Sequence, residues 1–192
     1  MPAHPHHFRG CVISAVLAAL SAGSSHGQNA AVSEYDVKAA FLLNIAKYTD
    51  WPSQAFSGPS APIVIAILGD DPFGAMLDRL VQGRVVNDRT VVVRRSKRVA
   101  DLRGAHVVFI SASEGERAAS ICASLSDSRA LCVGDTAQTG AVAGIHVAIE
   151  GGKVAFNVNL PAVRKSGVAI SSKLLRLAKS VSGTPVGERI EP

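Results

Sequence analysis

Three pairs of side chains in this 192-residue sequence are placed to do chemistry: Asp70 with Asp71, His106 with His146, and Cys122 with Cys132. Adjacent carboxylates after an apolar strand, as in GDDPFG at 69–74, could hold a divalent metal in the manner of a phosphate-receiver site. Such a site also needs an acceptor aspartate after the third core strand, where Ser111, Ala112 and Ser113 stand instead. The glycine spacing is not that of a dinucleotide loop, and no Lys-Ser or Lys-Thr follows as a phosphate loop requires. The simpler expectation is that Asp71 caps a short helix and Asp70 is solvated. His106 and His146 each precede an apolar strand run, where a rim imidazole needs no catalytic role. A shared metal would need the two strand starts side by side with carboxylates nearby. No serine sits in a Gly-x-Ser-x-Gly elbow. These residues make no convincing catalytic constellation, cofactor loop or metal set.

The cysteines depend on the compartment. Residues 1–27 read as an export signal: Arg9, an apolar run over 11–20, then small polar residues. The run is shorter than the roughly 20 apolar residues that span a bilayer. Cleavage is expected after Gly27, with Ser25 and Gly27 as the small residues at the cut, and it removes Cys11. Cys122 and Cys132 remain, an even count in an oxidising compartment, which favours a disulfide. Closing a loop of about eleven residues contributes on the order of 3 kcal/mol in the chain-entropy description. The competing reading is two small buried hydrophobes, Cys122 on a helix and Cys132 in a strand.

The elements that must position these groups follow from periodicity. In KAAFLLNIAKYTDWP, at 38–52, Val37 just before the block and Phe41, Ile45 and Tyr48 within it line one helix face, while Lys38, Lys47 and Asp50 point elsewhere. Ser33 offers a cap with Asp36 as its acidic partner, and Pro52 stops the segment. IVIAILG at 63–69 is apolar on both faces and belongs in the middle of a sheet. A short helix carrying Phe73, Met76, Leu77 and Leu80 comes next, then strands from Thr90 and over 106–111, a helix over 114–125 and a strand over 130–135. That order, β-α-β-β-α-β, predicts a mostly parallel sheet covered by helices on both faces. Gly151 and Gly152 separate two strand patterns and predict a β-hairpin, which makes the sheet mixed. Two helices, 161–166 and 171 to about 181, complete the domain. The fold class is therefore α/β: a single three-layer α/β/α domain over 28–181 with a C-terminal hairpin followed by helices, and a flexible tail at 182–192.

The formal net charge is +5 and falls to +4 without Arg9. The excess gathers in Arg94, Arg95, Lys97 and Arg98 and in a C-terminal group that includes Arg164, Lys165 and Lys173. Nucleic-acid binding would interleave aromatics with these charges, and only 5% of residues are aromatic. An acidic protein surface or membrane headgroups are the expected partners. Asn44, Asn157 and Asn159 interrupt apolar patterns, where a buried amide must be hydrogen-bonded or costs about 1–3 kcal/mol. They are expected to tie helix to sheet or to terminate strands.

Three blocks in order, KAAFLLNIAKYTDWP at 38–52, ILGDDPFG at 67–74 and VAFNVNLPAVRKSGVAISSKLLRLA at 154–178, resemble the YfiR family of periplasmic proteins, whose namesake represses a membrane-bound diguanylate cyclase. The likeness spans about 34–181. It implies an exported, non-enzymatic protein without cofactor that binds the periplasmic sensor domain of an inner-membrane cyclase and represses cyclic di-GMP synthesis, hence biofilm formation. It also implies an outer-membrane lipoprotein as a second partner, a homodimer, and a cysteine pair supporting the folded state, for which Cys122 and Cys132 look like the counterpart. Partner contacts are expected at Arg164, Lys165, Val168, Ile170 and Lys173, where apolar and basic residues alternate near a helix junction; a solvated basic face beside core positions is the other reading. The alternative function is a periplasmic small-molecule binder using the crevice beside Gly69 and Phe73.

Overall fold

Ser33 opens the first helix as the sequence requires. Its hydroxyl accepts from the Asp36 N–H at 3.1 Å, and the Asp36 carboxylate accepts from the Ser33 N–H at 3.1 Å, so two otherwise orphaned donors are satisfied. The structure, a computed structural model, describes residues 33–183; the expected export signal lies outside them, as do residues 184–192.

Helix α1 (Glu34–Lys47) buries Phe41, Leu42 and Ile45 and exits through strand β1 (Thr49–Asp50) into Trp51 and Pro52. One expectation is corrected here. Lys38 does not point away from the core but is 4% exposed, because two carboxylates meet it inside. Strand β2 (Ile63–Leu68) is buried at all six positions. It is followed by α2 (Ala75–Val81), β3 (Val85–Val86) and β4 (Arg89–Ser96). The β3–β4 hairpin was not anticipated. Its two-residue turn places Asn87 and Asp88 at φ of 50° and 62°, a left-handed geometry that short polar side chains tolerate and that matches strand twist.

Strand β5 (Val107–Ile110), helix α3 (Ala118–Leu125), strand β6 (Leu131–Gly134) and the short α4 (Ala137–Gly140) follow. The first part of the helix expected over 114–125 is a 3₁₀ turn, Ala112–Arg117. The hairpin β7 (Ile145–Glu150) and β8 (Lys153–Asn159) turns on Gly151 and Gly152, both at positive φ, as expected. Helix α5 (Leu160–Lys165) has Asn159 as its cap and Pro161 in its first turn.

The end of the chain departs from the expected long helix. Strand β9 (Ala169–Ile170) pairs antiparallel with β1, α6 is only Ser172–Leu175, and Ser180–Ser182 form a tenth strand, β10, parallel to β8. The helical pattern fails because Lys179 N–H donates to the Phe156 carbonyl and Ser180 Oγ to Asn157, so sheet pairing replaces helix continuation. Leu177, expected to face inward, is 73% exposed. Ser182, expected in the tail, belongs to this strand.

The eight-stranded sheet runs β10-β8-β7-β6-β5-β2-β4-β3, antiparallel only at β7–β8 and β3–β4. Alternate residues of one strand feed two cores. Ile63, Ile65 and Ile67 join α1 and α2 on one face; Val64, Ala66 and Leu68 join α3 on the other. This is the three-layer α/β domain with a mixed, mostly parallel sheet that the sequence predicts.

Candidate functional site

The turn beyond β2 is closely packed at Gly69. Gly69 has φ of 94°, and an added methyl there would stand 2.8 Å from the Glu114 side chain and closer still to the Ser113 hydroxyl. The same hydroxyl accepts from the Asp70 N–H at 2.9 Å. Asp71 accepts from the Phe73 N–H and from Arg95 Nε at 2.6 Å, while Asp70 pairs with Lys97 at 2.8 Å. Arg95 also grips Asp78 through two donors, and those hydrogen bonds hold the Asp78 carboxyl below the usual range. Arg95 and Lys97 of the basic run are thus the counter-charges of the acidic turn after β2, whereas Arg98 pairs with Asp101 and Arg94 donates to the Asp101 and Arg103 carbonyls.

The two histidines part company. Strand β6 lies between β5, which His106 precedes, and β7, which carries His146. His106 is 2% exposed, accepts from the Val64 N–H at Nδ1, stacks on Phe56 at 4.5 Å and meets the Trp51 edge at 5.6 Å. Burial, with the positive charge of Arg89 adding to it, pushes its pKa down to about 4. Arg89 lies 3.7 Å over the Phe56 ring and donates to the Gly58 and Ala61 carbonyls. Beside this stack is a cavity of about 380 Å³ lined by Asp50, Trp51, Phe56, Asn87 and Arg89 among others. Of the residues that line it, Thr49 and Trp51 have buried side-chain atoms, Oγ1 and Nε1, without hydrogen-bond partners. Sequence reading missed this site, although Trp51, Phe56 and Arg89 are all visible in it.

Cys122 on α3 is half-buried and Cys132 on β6 is buried; both are free thiols. Interaction between the two thiols lowers the pKa of Cys122 and, with burial, pushes that of Cys132 well up. A groove of about 350 Å³ opens beside them and extends to Lys165 on α5.

The five expected contact residues divide. Arg164, Lys165 and Lys173 are exposed, and Arg164 donates to the Gly183 carbonyl. Val168 is 7% exposed and belongs to the main core; Ile170 sits in β9 opposite Thr49 and packs on that core. Asn44 is exposed, whereas Asn159 caps α5 and Asn157 accepts from Ser180, linking β8 to β10.

The sequence from 35 to 179 matches the model of the YfiR/HmsC-like family, which takes in nearly all of the described fold. The chain belongs to the YfiR/HmsC-like family. The family is periplasmic and regulatory rather than catalytic, and its members act in cyclic di-GMP signalling. No curated protein matches this family member. Among solved structures it is similar to a conserved domain protein from Vibrio cholerae O1 biovar El Tor strain N16961, at 10% identity and a TM-score of 0.49, over 78% of this chain and 60% of that one. Among the described residues of this YfiR-like chain, no helix is long and apolar enough to cross a membrane.

Proposed function

We propose that this protein binds the periplasmic sensor domain of an inner-membrane diguanylate cyclase and represses cyclic di-GMP synthesis. The observation that carries the reading is the family match over 35–179. A repressor of this kind acts by binding one conformation of the sensor better than the other; a bias of about 3 kcal/mol shifts a two-state equilibrium more than a hundredfold. The exposed cations Arg164, Lys165 and Lys173 supply contacts, with Val168 and Ile170 setting the shape beneath them. Residues 1–27 direct export and are cleaved, an outer-membrane lipoprotein releases the repression, and a homodimer is the working unit. In the oxidising compartment Cys122 and Cys132 close a disulfide that links α3 to the sheet.

Deleting the protein should raise cyclic di-GMP, and the protein should co-purify with a membrane cyclase. If cyclic di-GMP stays unchanged on deletion under several stresses, this reading is wrong.

A second reading has its own support. The cavity beside Trp51 and Arg89, with a cation held in place and the Thr49 and Trp51 side-chain atoms left without partners, favours small-molecule binding there. A ligand-dependent rise in melting temperature that Arg89→Ala abolishes would support it.

A further inference from the structure

Helix α1 is amphipathic twice. One face enters the main core, while Ala40, Leu43, Asn44 and Lys47, at spacings of three, one and three, line a groove of about 440 Å³ against α2 and the β3–β4 hairpin. Leu43 and Leu80 are half-buried, Val86 is buried, and Val85 at the lip is 61% exposed. Two cations stand on the rim. Lys47 Nζ lies 5.3 Å over the Tyr48 ring, and Arg84 Nε donates to the Leu80 carbonyl. Among the described residues neither is within ion-pairing distance of a carboxylate, and no acidic residue lines the groove. Lys38, Arg95, Lys97, Arg98 and Lys179 are by contrast all paired with carboxylates, whereas Arg164, Lys165 and Lys173, like the two rim cations, are in no ion pair among the described residues.

We infer that this groove docks an amphipathic helix of the cyclase's periplasmic segment, apolar residues inward and acidic residues against Lys47 and Arg84. This inference rests on the repressor reading above. Charge complementarity fixes the sign of the partner: desolvated apolar side chains supply affinity, and unpaired rim cations steer an acidic surface and fix its register. The shape fixes its secondary structure. The groove runs between a helix and a helix–hairpin unit, so a third helix can lie along it. Strand addition is excluded as the main mode because β3, the free sheet edge beside the groove, has only two residues. The surface is separate from Arg164, Lys165 and Lys173, which lie on α5 and α6.

The test uses the full-length gene in its own host, with Lys47→Glu combined with Arg84→Glu as one variant and Val85→Asp as another. All three side chains are exposed, so the variants should fold; periplasmic abundance by immunoblot and melting of the purified proteins check this. Cyclic di-GMP is measured against wild type, deletion and Lys47→Arg. Both groove variants should lose about tenfold in affinity for the cyclase and raise cyclic di-GMP toward the deletion level, with Lys47→Arg still repressing. If deletion raises the signal while both groove variants repress like wild type, the groove inference is overturned and the repressor reading stands. If deletion changes nothing, the repressor reading falls and the docking inference with it. If Val85→Asp turns a dimer into a monomer in sizing chromatography without loss of repression, the groove holds a second copy of this chain, and the cyclase-helix inference is overturned.

Discussion

Lys38 on the first helix and Asp135 at the end of β6 form a buried ion pair, Nζ to Oδ2 at 2.7 Å, across 97 positions of sequence. Glu34, one turn before Lys38, is its second carboxylate partner, and the Tyr35 ring lies 4.7 Å from the ammonium. Burial opposes the charge on Lys38, but the hydrogen bonds that its ammonium donates to Asp135 and Glu34 outweigh it, so the lysine pKa is raised.

Removing one partner strands the other in the interior. Lys38→Ala should destabilise the fold by about 3–5 kcal/mol, and Asp135→Ala by less, because Glu34 still neutralises the lysine. Lys38→Ala with Asp135→Ala should cost less than the sum of the two single changes. Denaturant unfolding of the four proteins gives the coupling directly, and additive effects would contradict it. The raised lysine pKa fixes the pH sign: this contribution is present below the ordinary lysine value of 10.5 and is lost as pH rises through the folded value.

His106 carries the opposite signature. Its folded pKa of about 4 lies below the ordinary 6.5, so between those values the unfolded chain takes up a proton that the folded chain refuses. Stability should fall as pH drops from 6.5 toward 4, by at most about 1.4 kcal/mol per unit. His106→Gln keeps an acceptor for the Val64 N–H and should flatten the profile, which urea midpoints at several pH values will show.

The cysteine pair predicts a redox-dependent melting temperature. Oxidised protein should be two mass units lighter and more stable by roughly 3 kcal/mol than the reduced form. In the reduced form, half-buried Cys122 should react with a thiol reagent before Cys132. Equal melting with and without reductant would show that the thiols never bridge.

Gly69→Ala should lower stability by about 1–3 kcal/mol, since φ of 94° and the Ser113 and Glu114 side chains both reject a methyl group. Gly58→Ala meets nothing within 4 Å and should be near neutral. Thermal unfolding of the two proteins side by side separates local geometry from a general loss of glycine.

Much of this was legible because each signal was local. The apolar run at 63–68 became a central strand, Gly151 and Gly152 became the turn of β7 and β8, and Ser33 with Asp36 became a capping box. What escaped was non-local. Lys38 reads as solvated until Asp135 arrives from a distant strand, and residues 176–181 read as helix until Phe156 and Asn157 claim their hydrogen bonds. The packing of Val168 and Ile170 on β1 and the main core, beside exposed Arg164 and Lys165, is likewise unreadable locally, because burial from the far side leaves no trace in neighbouring residues. The Trp51–Arg89 cavity was illegible for the same reason: its walls come from the exit of α1, a loop and the start of β4.

The pairing of Thr49 with Ile170 has a temporal consequence. A chain emerging N-terminus first presents α1 early, yet the ribbon that anchors its exit cannot close until about 120 further residues have appeared. Until then the apolar side of α1 has only partial cover. Interrupted synthesis or translocation would leave a sticky, protease-sensitive intermediate, and a holding chaperone would have the longest window on this end of the molecule.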